Sequence, residues 1–200
     1  MTQKIFIAVI GGMLAGRFLV PESALQYSES MITIALNLLL FLIGIDLGRN
    51  RQVLKDIRSH GRVLLLVPLG IVLGSLAGGA LSGLLTGMPL GVSLPIASGF
   101  GWYSLSGILL SNLHGPEAGA VAFLTNIFRE LLAILLIPIL AARLNHWTAI
   151  APAGATSMDT TLPIISRATG PEIVVVAFVN GALLSSLVPV LVPFLYNLLM

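Results

Sequence analysis

The chain has 200 residues, of which 56% are hydrophobic and only 9% charged, against about 25% charged in an average soluble domain. With a mean hydropathy of +1.02 it cannot cover itself with a polar coat, so its solvent is lipid. The lack of cysteine excludes a disulfide scaffold, a thiolate zinc site and an iron–sulfur cluster. A net charge of +2 leaves no basic footprint for nucleic acid.

A bilayer crossing needs about 17–25 apolar residues. Five stretches meet or approach that: Ile5–Leu19, Met31–Leu47, Val63–Leu85, Ala118–Ala142 and Ile173–Leu199. The first is short and carries Gly11, Gly12 and Gly16, small residues suited to close helix packing. It competes with a signal peptide, but no small-x-small cleavage site follows and Arg17 interrupts it. Two more stretches, Leu90–Leu113 and Thr148–Arg167, are apolar but broken. One contains Pro95 and Ser98-Gly99-Phe100-Gly101-Trp102-Tyr103-Ser104-Leu105-Ser106-Gly107. The other contains Pro152, Gly154, Thr156, Ser157, Asp159, Thr160, Thr161 and Pro163. Bare backbone groups in hydrocarbon cost several kcal/mol each, so unwound chain at that depth must be buried in protein or line a cavity. The expected fold is all-α. It is one integral membrane transport domain over residues 1–200, with about five transmembrane helices and two broken or re-entrant segments. Paired interrupted segments are the feature of secondary transporters that marks a binding site.

Charge orients the scheme. Arg49, Arg51, Lys55, Arg58 and Arg62 lie in one loop, which the positive-inside rule places in the cytoplasm. The preceding loop, Val20–Ser30, carries Glu22 and Glu29 but no Lys or Arg. The N-terminus is then cytoplasmic. If both broken stretches re-enter, Arg143 and Arg167 also fall inside and the C-terminus outside; if both cross, Arg143 falls outside. The charge rule favours re-entry.

Ionisable groups deep in a membrane are costly, at least ~2.5–3.5 kcal/mol for Arg or Asp at a helix centre. Arg129 and Glu130 sit mid-span, too far from either interface to snorkel. Asn126 and Thr125 extend the polar sector, which must face protein or water. Asp159 lies midway along the second broken stretch with hydroxyls on both sides, placed to meet a cation, to cap the following half-helix, or both. Asp46 is near a span end, within reach of Arg49 at i+3. Asn180 reads as an interhelical hydrogen bond, and His114 and His146 as solvated loop residues. Trp102 and Tyr103 fit either an interfacial anchor or a cavity wall. An intramembrane aspartyl protease would need a paired Asp; Asp46 and Asp159 are available, but neither sits in a Gly-x-Gly-Asp motif.

The Ser98–Gly107 and Gly154–Pro163 strings, with Arg129-Glu130-Leu131 between them and Phe41-Leu42-Ile43-Gly44-Ile45 before them, resemble the LysO lysine exporter family of bacteria. The resemblance runs over essentially the whole chain and corresponds to the C-terminal two-thirds of full-length members. It implies export of L-lysine and its toxic analogue thialysine across the cytoplasmic membrane, with no enzymatic step, resident cofactor or metal. Two membrane-embedded carboxylates, at Glu130 and Asp159 by motif, are implied to carry it. The expected site adds Arg129 toward the substrate carboxylate, then Asn126, Ser157, Thr160, Gly101, Trp102, Tyr103 and Ser104. A proton is the expected coupling ion in an antiport cycle, with sodium left open. The absent N-terminal third implies either a separate small membrane subunit or a homo-oligomer. The alternative is a non-transporting subunit of a two-component transporter.

Overall fold

The computed structural model describes residues 61–200 continuously and, before them, residues 10–12, 14–18, 21, 27, 34, 38 and 45. The chain divides into the units Met1–Gln52 and Val53–Met200. In the first unit residues 10–12 and 14–18 are helical, as are Ile34, Leu38 and Ile45. The remainder of the two leading predicted spans, with Asp46 and the basic loop before Gly61, lies outside the described residues.

The described residues of the second unit form helices joined by turns, with no strand. Its order is α1 (Gly61–Thr86), α2 (Leu90–Ala97), α3 (Tyr103–His114), α4 (Pro116–Arg143), two 3-10 turns (Thr148–Ile150 and Gly154–Met158), α5 (Leu162–Ala168) and α6 (Pro171–Leu199). Among the described residues, three helices are long and apolar enough to cross a bilayer: Leu64–Thr86, Pro116–Arg143 and Pro171–Leu199. They coincide with the last three predicted spans. Local chemistry sets their starts. Pro116 and Pro171 open α4 and α6 at the first turn, where the missing N–H costs nothing, and Glu117 and Glu172 add negative charge beside the helix N-termini.

The two broken stretches each enter and return on one face. At the end of α3, His114 Nδ1 lies 3.2 Å from Tyr196 Oη. At the start of α2, Gly91 packs on Met200 so closely that a Cβ would stand 2.6 Å from its side chain. Tyr196 lies in the last turn of α6 and Met200 directly follows that helix. The segment from Leu90 to His114 therefore begins and ends at the same end of α6, and is a helical hairpin. The second stretch behaves alike at the opposite face. A recess there is lined both by Leu144, Asn145 and His146 after α4 and by Glu172 and Ile173 at the start of α6. The first arm of this hairpin is a run of turns and short 3-10 pieces rather than an α-helix. Alanines and glycine allow that tight path, and Pro152 cannot donate a backbone bond.

The arrangement is span, hairpin, span, hairpin, span, with the hairpins entering from opposite faces. The tips meet. Ala155 N–H donates to Phe100 C=O at 2.8 Å. Both sit in the fully buried heart of the unit, with Phe100, Ala153 and Ser157 at 0% exposure.

Candidate functional site: a carboxylate pair at the hairpin tips

Glu130 falls at the midpoint of the 28-residue α4. Its carboxylate interacts electrostatically with Asp159, which the second hairpin brings to the same place. Two neighbours complete the group. The Tyr103 phenol, at the start of α3, is within electrostatic reach of both carboxylates. The Thr160 hydroxyl lies against both, yet is buried and makes no well-formed hydrogen bond among the described residues. Asp159 Oδ1 also accepts the Thr160 backbone N–H. Glu130, Asp159, Tyr103 and Thr160 are half-buried. Such a cluster is rich in acceptors, poor in donors and sunk in low dielectric, which favours a cation with several N–H or O–H groups.

Asp159 does not cap the second half-helix. The residue before α5 is Thr161, and no side chain caps that end. Beyond the Thr160 backbone N–H, its carboxylate is left for the cluster.

Asn126 lies on α4 about one turn before Glu130, but it serves the tip of the first hairpin. Its Oδ1 accepts Gly101 N–H at 2.7 Å. Its Nδ2 faces Ile96 C=O, Ser106 Oγ and Ala122 C=O at 3.2, 3.2 and 2.9 Å. With 2% exposure, its capacity is used inside the protein. The tip it holds is unusual backbone: Phe100 has φ 47 and Gly101 φ 99. Left-handed backbone is costly for a bulky residue and free for glycine.

Ser157 has the corresponding role in the second hairpin. Its hydroxyl donates toward Gly154 C=O and Ala177 C=O at 2.8 and 2.7 Å, and it accepts from Asn180 Nδ2 at 2.9 Å. Asn180 also donates to Gly154 C=O at 3.1 Å, so it is the interhelical bond expected of it. Gly154 takes φ 61, and a Cβ there would collide with Phe100 O.

Arg129 turns away from the carboxylate pair. Nε donates to Pro152 C=O at 3.1 Å, Nη1 to Ser75 Oγ at 2.9 Å and Nη2 to Ala151 C=O at 3.3 Å. Adjacent residues project about 100° apart on a helix. Glu130 therefore joins the carboxylate cluster while Arg129 turns to α1 and the incoming arm of the second hairpin. The polar sector read from the sequence fans out to three neighbours.

The remaining expected residues separate. Trp102 is 38% exposed. Ser104 is exposed and lines a recess between α3 and α4 with Gly107, Ser111 and Phe123. His114 is the last residue of α3 and packs edge-on against Tyr196, with centroids 5.7 Å apart. Ser75 was not anticipated; a serine one turn from Ile71 in an apolar span carries no signal until its partner is known.

The family described as "Lysine exporter LysO" matches residues 6–196. The chain is 45% identical over 170 residues to "Lysine exporter LysO" of Escherichia coli K12, covering 85% of this chain and 56% of that one. It is 35% identical over 200 residues to "Putative lysine exporter" of Haemophilus influenzae Rd, covering 96% of each. The chain thus spans just over half the length of the Escherichia coli relative. No solved structure matches it. Family match and identities together place the chain: it belongs to the lysine exporter LysO family.

Proposed function

We propose that this chain exports L-lysine, and thialysine with it, by antiport against a cation across the cytoplasmic membrane. The observation that carries the reading is the carboxylate pair Glu130 and Asp159, held together at mid-span with Tyr103 and Thr160 by the hairpin tips. The ε-ammonium of lysine has three donors and one positive charge, which such a cluster complements. When lysine leaves, the carboxylates need another positive charge, and a proton on either supplies it. Outward transport would then be tied to inward proton movement. Tyr103 offers a hydroxyl and an aromatic face to the same ammonium.

The face holding Arg143, Arg167 and the start of α1 is the cytoplasmic one in this reading, following the positive-inside rule, and the C-terminus lies outside. In this reading the chain assembles with a small membrane subunit or with a second copy of itself. Lysine counterflow into liposomes holding the purified chain tests transport. Glu130→Gln and Asp159→Asn should each lower the initial rate at least tenfold at equal reconstituted protein. A rate equal to wild type in either variant removes that carboxylate from the site.

A further inference from the structure

The carboxylate cluster leaves a second charged group unexplained. Arg129 is a full positive charge at the centre of a span, and among the described residues it makes no ion pair. Three of its five N–H groups are used, on Ser75 Oγ and the carbonyls of Ala151 and Pro152. Carbonyl oxygens solvate the guanidinium without neutralising it.

Two recesses converge on this residue. One, of about 530 Å³, is lined by Leu66, Gly70, Gly74, Trp147 and Thr148 and ends at Ser75 and Arg129. The other, of about 400 Å³, runs from Thr86, Met88 and Ser82 past Ser93 and Thr125 to the same Ser75 and Arg129. Together they follow α1 from Leu66 to Thr86, roughly 30 Å at 1.5 Å per residue, the thickness of a bilayer core. Neither is lined by Glu130 or Asp159. The second also contains a buried hydroxyl, Ser93 Oγ, that has no partner among the described residues. Donors outnumber acidic groups along this track: among the described residues no Asp or Glu lines either recess.

We infer that Arg129 and Ser75 form an anion site at the point where the two recesses meet, on the α1 side of the hairpin tips and distinct from the ammonium site. Its ligand is a small monovalent anion. The two spare guanidinium N–H groups and the Ser75 hydroxyl bind it. A carboxylate of amino-acid size and a chloride ion share that chemistry. A carboxylate would make the site the second half of amino-acid recognition. Chloride would make it a charge that accompanies the cationic passenger.

The test uses the purified full chain in lipid nanodiscs, with L-lysine, cadaverine (the same diamine without the carboxylate) and chloride as probes. A carboxylate ligand gives lysine binding at least tenfold tighter than cadaverine, with the preference lost in Arg129→Gln and narrowed in Ser75→Ala. A chloride ligand gives equal binding of the two amines. The melting temperature then rises by about 3 °C or more when chloride replaces gluconate, the shift expected for tenfold saturation of one site in a chain of this size. That rise disappears in Arg129→Gln and shrinks in Ser75→Ala. Glu130→Gln should weaken lysine and cadaverine alike and leave the chloride shift in place, which separates failure of the ammonium site from failure of this one. A wild-type protein indifferent to both the carboxylate and chloride overturns the inference without any variant. So does Arg129→Gln or Ser75→Ala retaining the full wild-type preference.

Discussion

A single amide organises the first hairpin tip. Asn126 supplies the acceptor for Gly101 N–H and donors for Ile96 C=O and Ser106 Oγ, all across helix boundaries. In lipid no water replaces these bonds, so removing the side chain leaves a buried N–H bare at a cost of about 1–3 kcal/mol. Asn126→Ala should lower the melting temperature in detergent by several degrees, whereas Thr125→Ala, on an exposed position of the same turn, should leave it within about a degree. Equal stability of the two variants would show that the tip does not depend on this clasp. The sequence places Asn126 in a polar sector with Arg129 and Glu130, and all three lie in the middle of α4. It did not show their divergence, because residue spacing gives directions around a helix while neighbours decide what each direction meets. Glu130 and Asp159 were legible because a carboxylate in an apolar run violates the ordinary cost of charge in lipid. Ser75 was not, because a hydroxyl in a helix satisfies itself on its own backbone as readily as on a distant arginine.

Hairpins behave as units here because their backbone is closed onto each other. The α2–α3 loop cannot continue as helix through Gly99 and Gly101, and its freed groups are met by Asn126 and by Ala155 N–H. The second hairpin is fixed to α6 through Ser157 and Asn180, and Gly181 allows α6 to approach so closely that a Cβ would collide with Met158 N. Composition identified both segments as broken, since Gly, Ser, Thr and Pro are poor lipid-facing material. Whether they cross or return depended on where their ends dock, which the contacts of Tyr196 with His114 and of Met200 with Gly91 answer for the first, and the recess shared by Asn145 and Glu172 for the second. This geometry has a direct check, because the chain contains no cysteine. Single cysteines at Gly115 and at Asn145 should react with a membrane-impermeant thiol reagent from opposite sides of sealed vesicles. One at Leu90 should label from the same side as Gly115. Labelling of Leu90 and Gly115 from opposite sides would mean that the first stretch crosses.

On the scale of the described unit, two hairpins of opposite entry put their tips at the middle of the span set, where Asp159 meets Glu130 of α4. The sequence reading recovered the three described spans and the two interruptions, and the resemblance supplied the family that the relatives bear out. Periodicity alone gave no pairing of the tips, because that contact joins residues 55 positions apart, Phe100 and Ala155, through backbone groups that any residue carries. The central claim is that this paired acidic site binds a cationic passenger. Titration calorimetry of L-lysine into the purified chain, beside Glu130→Gln and Asp159→Asn, addresses it without requiring turnover. The wild-type isotherm should be saturable and weaken at least tenfold in each variant, while both keep their wild-type melting temperature within a few degrees. Undiminished affinity in folded Glu130→Gln or Asp159→Asn protein would contradict it.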